Sequence, residues 1–220
     1  LQQLDPLTRG SLIHKFQAAI LKKLQTAGML PLSADSLIEA QKRLDQTITE
    51  IGGQERDDLA PAIERVWTDE IAAICRDLKH WLELLVEEGV EWTPERFEFG
   101  FGLMDTLDRD EHSTPTPAFV DHRFLLRGSV DLIERHRQTN LLRVTDYKTG
   151  RNRTKSGQTM VEGGRLLQPI LYGLALEAVM PKESVAAGRL FFCTSIGNFS
   201  THEIPLFGES RKTGLEVLEV

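Results

Sequence analysis

The period of the hydrophobic pattern changes near residue 90 of the chain. Before that point, apolar residues recur every three or four positions, as they do on one face of an α-helix. The longest such stripe contains Ile63, Val66, Trp67, Ile71, Ile74, Leu78, Trp81 and Leu85. After that point, Phe97, Phe99 and Phe101 alternate with Glu98 and Gly100, which is the period of a β-strand. The chain is therefore predicted to combine a helical N-terminal part with a part that contains a β-sheet.

Three helices are predicted in the N-terminal part. The first ends at Gly28, and the second ends at the pair Gly52-Gly53, because glycine is a poor helix former. The third runs from about residue 59 to residue 88 and carries Pro61 in its first turn, where proline is tolerated.

Strands and one more helix are predicted in the second part. Strands are expected over residues 124–133 and 141–147, joined as a hairpin, with a helix over 166–180 and two strands over 186–194 and 199–205. This order predicts an α/β fold, a mixed central β-sheet flanked by helices with an N-terminal helical lobe.

Length and composition set further limits. The 220 residues are predicted to form a helical lobe over 1–92 and a core over 93–220, and the start at Leu1 indicates a fragment of a longer protein. No apolar run approaches the roughly 20 residues that span a bilayer, so no membrane partner is expected. The two cysteines, Cys75 and Cys193, are predicted to be buried thiols, which is consistent with a reducing, cytoplasmic location.

Charge is distributed unevenly along the chain. The net charge is −7, which by itself argues against binding to nucleic acid. Residues 121–172, however, contain ten Lys or Arg and five Asp or Glu. Since phosphate contacts need only local positive charge, this segment favours a nucleic-acid surface, with a solvated basic face as the alternative.

Two acids and a lysine stand at the ends of the predicted hairpin strands. Asp146 and Lys148 are two residues apart and therefore project from the same face of a strand. If the strands pair, Asp131 can lie beside Asp146 across the ladder. Adjacent carboxylates repel each other, and a divalent cation such as Mg²⁺ or Mn²⁺ relieves this repulsion. A lysine beside such a site predicts phosphodiester hydrolysis, although a lone Asp-x-Lys is also typical of an ordinary surface ion pair.

The order of the motifs resembles one branch of a known nuclease superfamily. The motifs are Gly-x-x-Asp-x-x-Glu from Gly128, Asp-Tyr-Lys-Thr-Gly from Asp146, and Gln168 followed by Tyr172 on a helix. Upstream stand Arg9-Gly10 followed by His14, and then Glu98. This set resembles the RecB/AddB/Cas4-like branch of the PD-(D/E)XK nucleases.

The resemblance implies a role for each matching residue. The implied metal ligands are His14, Asp131, Asp146 and the backbone carbonyl of Tyr147. Lys148 would be the catalytic lysine, and Glu98 would assist near the metal. Gln168 and Tyr172 would support the site and contact DNA. The basic residues of the loop after Lys148, by their charge alone, are predicted to contact the DNA backbone: Arg151, Arg153 and Lys155.

The resemblance also implies a fold, an activity and partners. It implies a restriction-endonuclease-like core. The implied activity is that of a Mg²⁺-dependent deoxyribonuclease, which would act as an exonuclease in a helicase–nuclease system of DNA repair and recombination. The sequence departs from the family pattern at two places. Cys75 and Cys193 do not match the four cysteines that hold an iron–sulfur cluster in some relatives, so no cluster is predicted. Glu134 occupies a position that is often Asp. The alternatives are a non-catalytic scaffold with the nuclease fold and a hydrolase of other phosphate esters.

Overall fold

The structure of the protein is a computed structural model that describes residues 4–61, 63–104, 108–152 and 167–218. Its contacts divide the chain into two compact units, which are treated separately. The helical unit contains the chain up to residue 90 with segments 148–152 and 192–200, and the sheet unit contains segments 91–147, 153–191 and 201–220. A domain boundary at residues 92 and 93 stays a prediction.

Three long helices form most of the helical unit. They are α1 (Pro6–Thr26), α2 (Leu37–Leu59) and α3 (Glu64–Glu88), and each packs against the other two. Asp5 caps the start of helix α1, and its carboxylate accepts hydrogen bonds from the backbone N–H groups of Leu7 and Thr8. The three faces bury an apolar core that includes Phe16, Ile20, Leu44, Ile74, Leu78 and Trp81.

Two of the predicted helix boundaries were wrong. Helix α2 does not end at Gly52-Gly53 but continues to Leu59, where Ala60 adopts a left-handed φ of 43°. Gly52 is buried, and a Cβ built on it would lie 3.9 Å from the ring of Phe16. Packing of α2 as a whole against α1 and α3 offsets a helix-propensity cost of about 1 kcal/mol for each glycine. Helix α3 begins at Glu64, so Pro61 precedes it instead of occupying its first turn.

In the described part of the chain, seven strands and two helices lie largely in the sheet unit. The strands are β1 (Trp92–Phe101), β2 (Ala118–Val120), β3 (Phe124–Leu126), β4 (Gly128–His136), β5 (Leu142–Lys148), β6 (Val185–Phe192) and β7 (Thr201–Pro205). The helices are α4 (Leu167–Val179) and α5 (Gly208–Val217). Strands β1, β4, β5, β6 and β7 form one sheet in that order, and β2 pairs with β3 in a separate hairpin.

The five-stranded sheet is mixed. Strand β4 is antiparallel to β1 and to β5, and β6 is antiparallel to β7. Strands β5 and β6 run in the same direction. At their starts, the N–H of Leu142 donates to the carbonyl of Ser184, and at their ends the N–H of Cys193 donates to the carbonyl of Lys148. A parallel pair needs a long crossover connection, and α4 lies within it. The predicted mixed sheet with flanking helices is confirmed.

The predicted strand over residues 124–133 is divided into two. Its first residues form β3, which pairs with β2, and its later residues form β4 in the main sheet. The break falls at Arg127, whose Cγ would lie 2.6 Å from a Cβ at Gly102. Gly102 has a φ of 69°, and its lack of a side chain lets the chain pass this close to Arg127.

Candidate active site

The register of the sheet places Glu98 opposite Asp131. Phe99 on β1 pairs with Val130 on β4, and the antiparallel register therefore sets Glu98 against Asp131 one position further along. Their carboxylate oxygens lie within 4.8 Å of each other. Both side chains are half-buried.

The register of β4 and β5 places Asp146 beside Asp131. Leu132 on β4 pairs with Thr145 on β5, and the next position along both strands holds Asp131 and Asp146. The backbone N–H of Tyr147 donates to the Asp131 carboxylate, with N and Oδ2 2.6 Å apart. Asp146 is only 5% exposed. Glu98, Asp131 and Asp146 thus form one cross-strand line on β1, β4 and β5, which we name the acidic row.

Glu98 departs from regular strand geometry. Its φ is 57°, a left-handed value that costs a residue other than glycine about 1–3 kcal/mol. Its backbone carbonyl accepts a hydrogen bond from the N–H of Asp110, 3.2 Å away. Phe97 and Phe99 on either side are buried, and their packing holds the strand in place around this residue. Alternation of apolar residues could predict the strand, but it carries no signal for the unusual backbone at Glu98.

The donor set of the acidic row fits a divalent cation. Three carboxylates on adjacent strands repel one another, and a buried carboxylate without a counter-charge is costly. Mg²⁺ and Mn²⁺ prefer oxygen ligands, which carboxylates and backbone carbonyls supply. The row therefore has the chemistry of a metal centre.

Lys148 ends β5, two residues after Asp146. Hydrogen bonds within the helical unit hold the backbone of Lys148 and of the residue that follows it. The carbonyl of Lys148 accepts from the N–H of Cys193 at 3.0 Å, and the carbonyl of Thr149 accepts from the hydroxyl of Thr194 at 3.0 Å. Gly10 on α1 lies so close to this segment that a Cβ would be 3.1 Å from the Thr149 hydroxyl. This approach gives a physical reason for the glycine in the Arg9-Gly10 motif.

Asp77 on α3 links the same segment to the helices. One carboxylate oxygen accepts from the N–H of Ser195 at 3.1 Å, and the other accepts from the guanidinium of Arg9 at 3.2 Å. Arg9 also binds Glu70 at 3.2 Å. Asp77 is 6% exposed, and sequence reasoning missed it because an acid on a helix surface gives no signal of a distant partner.

Replacing Asp77 by asparagine is expected to lower the free energy of unfolding by about 1–3 kcal/mol, since a charge-assisted bond to Arg9 is lost in a buried place. Chemical denaturation measures this loss. The matched control is Asp69→Asn on the same helix, whose ion pair with Arg65 is 3.8 Å long and exposed, so its effect should stay near zero. Equal stability of the two variants would contradict a structural role for Asp77.

Gln168 and Tyr172 lie one turn apart on α4. The Gln168 amide donates a 2.9 Å hydrogen bond to the Tyr172 hydroxyl, which confirms that the two side chains share a face of the helix. A Cβ at Gly128 would lie 3.0 Å from the Tyr172 ring, so this glycine makes room for the tyrosine at the start of β4. Burial raises the pKa of Tyr172, and the charges of Asp146 and Asp131 raise it further, against a lowering by Gln168. The negative charges of the acidic row therefore favour the protonated form of the Tyr172 hydroxyl.

His14 and Arg151 belong to the helical unit. His14 is on α1 in the helical unit and is half-buried. Arg151 follows β5 and is exposed. Arg153 and Lys155 lie outside the described residues. The role of each as a ligand or DNA contact stays a prediction.

A known family model matches nearly the whole chain. The family model of the PD-(D/E)XK nuclease superfamily matches residues 1–205, which include the whole acidic row and Lys148. The chain belongs to the PD-(D/E)XK nuclease superfamily. Membership confirms the restriction-endonuclease-like fold class and indicates a nuclease that uses divalent metal ions, with DNA as the implied substrate.

A search of curated proteins found none that matches this chain. Among the described residues, no helix is long and apolar enough to cross a membrane.

Proposed function

We propose that this PD-(D/E)XK protein is a Mg²⁺- or Mn²⁺-dependent deoxyribonuclease that hydrolyses phosphodiester bonds at the acidic row. The observation that carries the proposal is the register that aligns Glu98, Asp131 and Asp146 on three adjacent strands. Lys148 follows Asp146 by two residues on β5, and strand alternation sends both side chains to the same face.

The proposed roles follow from the chemistry of each group. Asp131, Asp146 and the carbonyl of Tyr147 would hold the cation, with His14 as a further ligand. A bound divalent ion polarises a phosphoryl oxygen and lowers the pKa of water. The Tyr147 N–H fixes the Asp131 carboxylate in position.

The other polar groups would act on the substrate. The ammonium of Lys148 would orient the attacking water and offset the negative charge that develops on the phosphate. Glu98 on β1 would assist catalysis near the metal. Gln168 and Tyr172 would contact DNA, and Arg151, Arg153 and Lys155 would contact its phosphates.

The biological setting is a separate part of the proposal. The resemblance to RecB-like domains supports a cytoplasmic exonuclease that works with a helicase domain or subunit in DNA repair and recombination. A scaffold without catalysis is the second candidate. The observation in its favour is charge, because the chain outside residues 121–172 contains sixteen Lys or Arg against twenty-eight Asp or Glu and is a poor surface for nucleic acid.

Metal dependence tests the proposed function. End-labelled single- and double-stranded DNA should be cut with Mg²⁺ or Mn²⁺ and left whole with EDTA. Calorimetry without DNA should detect Mn²⁺ binding to the natural chain and a loss of affinity in Asp131→Asn. The matched control is Asp121→Asn, an exposed acid with a left-handed φ of 50° that asparagine tolerates, and its Mn²⁺ affinity should not change. DNA binding with no cleavage under any metal condition would favour the scaffold.

A further inference from the structure

A pocket of about 500 Å³ lies in the sheet unit beside β1. Residues 112–117 of the loop after β1, strand β2 and the C-terminal end of α4 contribute its walls. Its volume is within the roughly 300–1,000 Å³ that is usual for ligand sites. The proposed hydrolysis at the acidic row does not use these walls.

The walls of the pocket are mainly apolar. Phe99 and Pro117 line it together with the residues at the end of α4. Phe119 also lines it, and this side chain is 52% exposed, an uncommon state for a large aromatic ring. An exposed aromatic ring at the side of a pocket offers a flat surface on which another ring can stack.

The polar groups of the pocket suit a neutral ligand better than an anion. Arg96 lies 3.4 Å from the carboxylate of Asp110, so its positive charge is offset, and His112 lies 3.2 Å from the same carboxylate. Thr114 and Thr116 add hydroxyl groups, which donate and accept hydrogen bonds. A flat ring with a polar edge satisfies both kinds of wall, and a nucleobase has this chemistry.

The pocket also shares β1 with the acidic row. Thr114 is joined to this strand through its N–H to the carbonyl of Gly100 and through its carbonyl to the N–H of Gly102, each 2.9 Å long. The carbonyl of Glu98, two residues before Gly100, binds the same loop at Asp110. One wall of the pocket and one member of the acidic row are therefore held by the same short stretch of β1.

The hairpin beside the pocket has a small excess of positive charge, Arg123 and Arg127 against Asp121. Arg123 in the β2–β3 turn and Arg127 after β3 are both exposed. Such residues attract a phosphate backbone, whereas the pocket itself would take the base.

We propose that this pocket binds one unpaired nucleobase of the DNA substrate, stacked on Phe119 with its polar edge toward Thr114 and Thr116. The inference rests on the proposed nuclease function and adds a substrate property to it. A pocket that holds one base requires an unpaired strand near the acidic row, so the enzyme should favour single-stranded DNA or frayed ends.

Stacking can be measured without cleavage. An oligonucleotide that contains 2-aminopurine is titrated with the protein in EDTA, and its fluorescence should fall as the base stacks on Phe119. The Phe119→Ala variant should weaken binding about 5–150-fold, which corresponds to about 1–3 kcal/mol for one stacked base, and should abolish the fluorescence change. Phe119→Trp should restore both.

The chain offers a matched control. Leu125 pairs directly with Phe119 across the hairpin and is 66% exposed, yet it is not part of the pocket lining. Leu125→Ala should bind as the natural chain does. The salt dependence of binding should be the same in all variants, because stacking releases no counterions.

Three outcomes would overturn the inference, and they remain distinct from a failure of the proposed function. Phe119→Ala could bind the oligonucleotide and quench 2-aminopurine as the natural chain does while metal-dependent cleavage persists. This result would reject the base-binding pocket and leave the proposed nuclease function intact. Leu125→Ala could lose as much as Phe119→Ala, which indicates a general effect of the hairpin. If circular dichroism shows that Phe119→Ala is unfolded, Thr116→Val provides the same test, and unchanged binding and quenching in that variant would overturn the inference.

Discussion

The Lys148→Ala variant is expected to lose DNA cleavage by a factor of at least roughly 100–1,000 while remaining folded. The lysine would act on charge that exists only during the reaction, so its removal should lower the rate much more than the affinity. The fold should survive, because Lys148 is held by its backbone carbonyl, which accepts from Cys193 and does not depend on the side chain.

Single-turnover cleavage with excess enzyme measures the rate, and binding in EDTA measures the affinity. Asp146→Asn should show the same loss of rate, because it removes a charge from the acidic row. The control is Lys212→Ala on α5, a lysine with 67% of its side chain exposed, which should cleave normally. Full activity of both Lys148→Ala and Asp146→Asn would show that phosphodiester hydrolysis occurs elsewhere.

The pairing of Asp131 with Asp146 could be predicted from the sequence, because local features determine it. A turn at Asn140, with a left-handed φ of 62°, joins β4 to β5. The two-residue period of the strands then leaves few registers that bury their apolar residues on the correct face. Once the hairpin forms in this register, the two carboxylates must lie side by side.

Features that depend on distant partners could not be predicted. The apolar run around Phe124 has the period of one strand, but β3 pairs with β2 and β4 pairs with β1, and a single sequence contains no signal for this choice. Gly52 likewise reads as a helix end until its packing on Phe16 is known. Local propensity is weak, at about 1 kcal/mol or less per residue, and tertiary contacts readily exceed it.

Glu134 shows how one motif can contain residues of different function. It stands three residues after Asp131 in the Gly-x-x-Asp-x-x-Glu motif, but it is fully buried among basic groups and not part of the acidic row. Its carboxylate accepts two hydrogen bonds from Arg143, both 2.9 Å long, and one from Arg189 at 3.0 Å. The hydroxyl of Thr145 donates a further bond at 2.8 Å.

Replacing Glu134 by glutamine is therefore expected to lower the free energy of unfolding by about 3–5 kcal/mol, because two buried guanidinium groups lose their counter-charge. Chemical denaturation at neutral pH measures the loss. The matched control is Glu203→Gln, which removes another acid from Arg143, at 3.0 Å, but has 45% of its side chain exposed. Its effect should remain below about 1 kcal/mol.

The pH dependence of Glu134→Gln gives a second, independent test. Burial alone would raise the pKa of Glu134, but Arg189 and Arg143 outweigh it, so the pKa lies below the ordinary value of 4.5. A carboxyl whose pKa is lowered by folding contributes stability that is complete above its unfolded pKa and is lost as the pH falls through the folded pKa. The difference between the natural chain and Glu134→Gln should thus be constant near neutral pH and shrink in acid. A difference that stays constant well below pH 4 would mean that the variant acts through packing and not through charge.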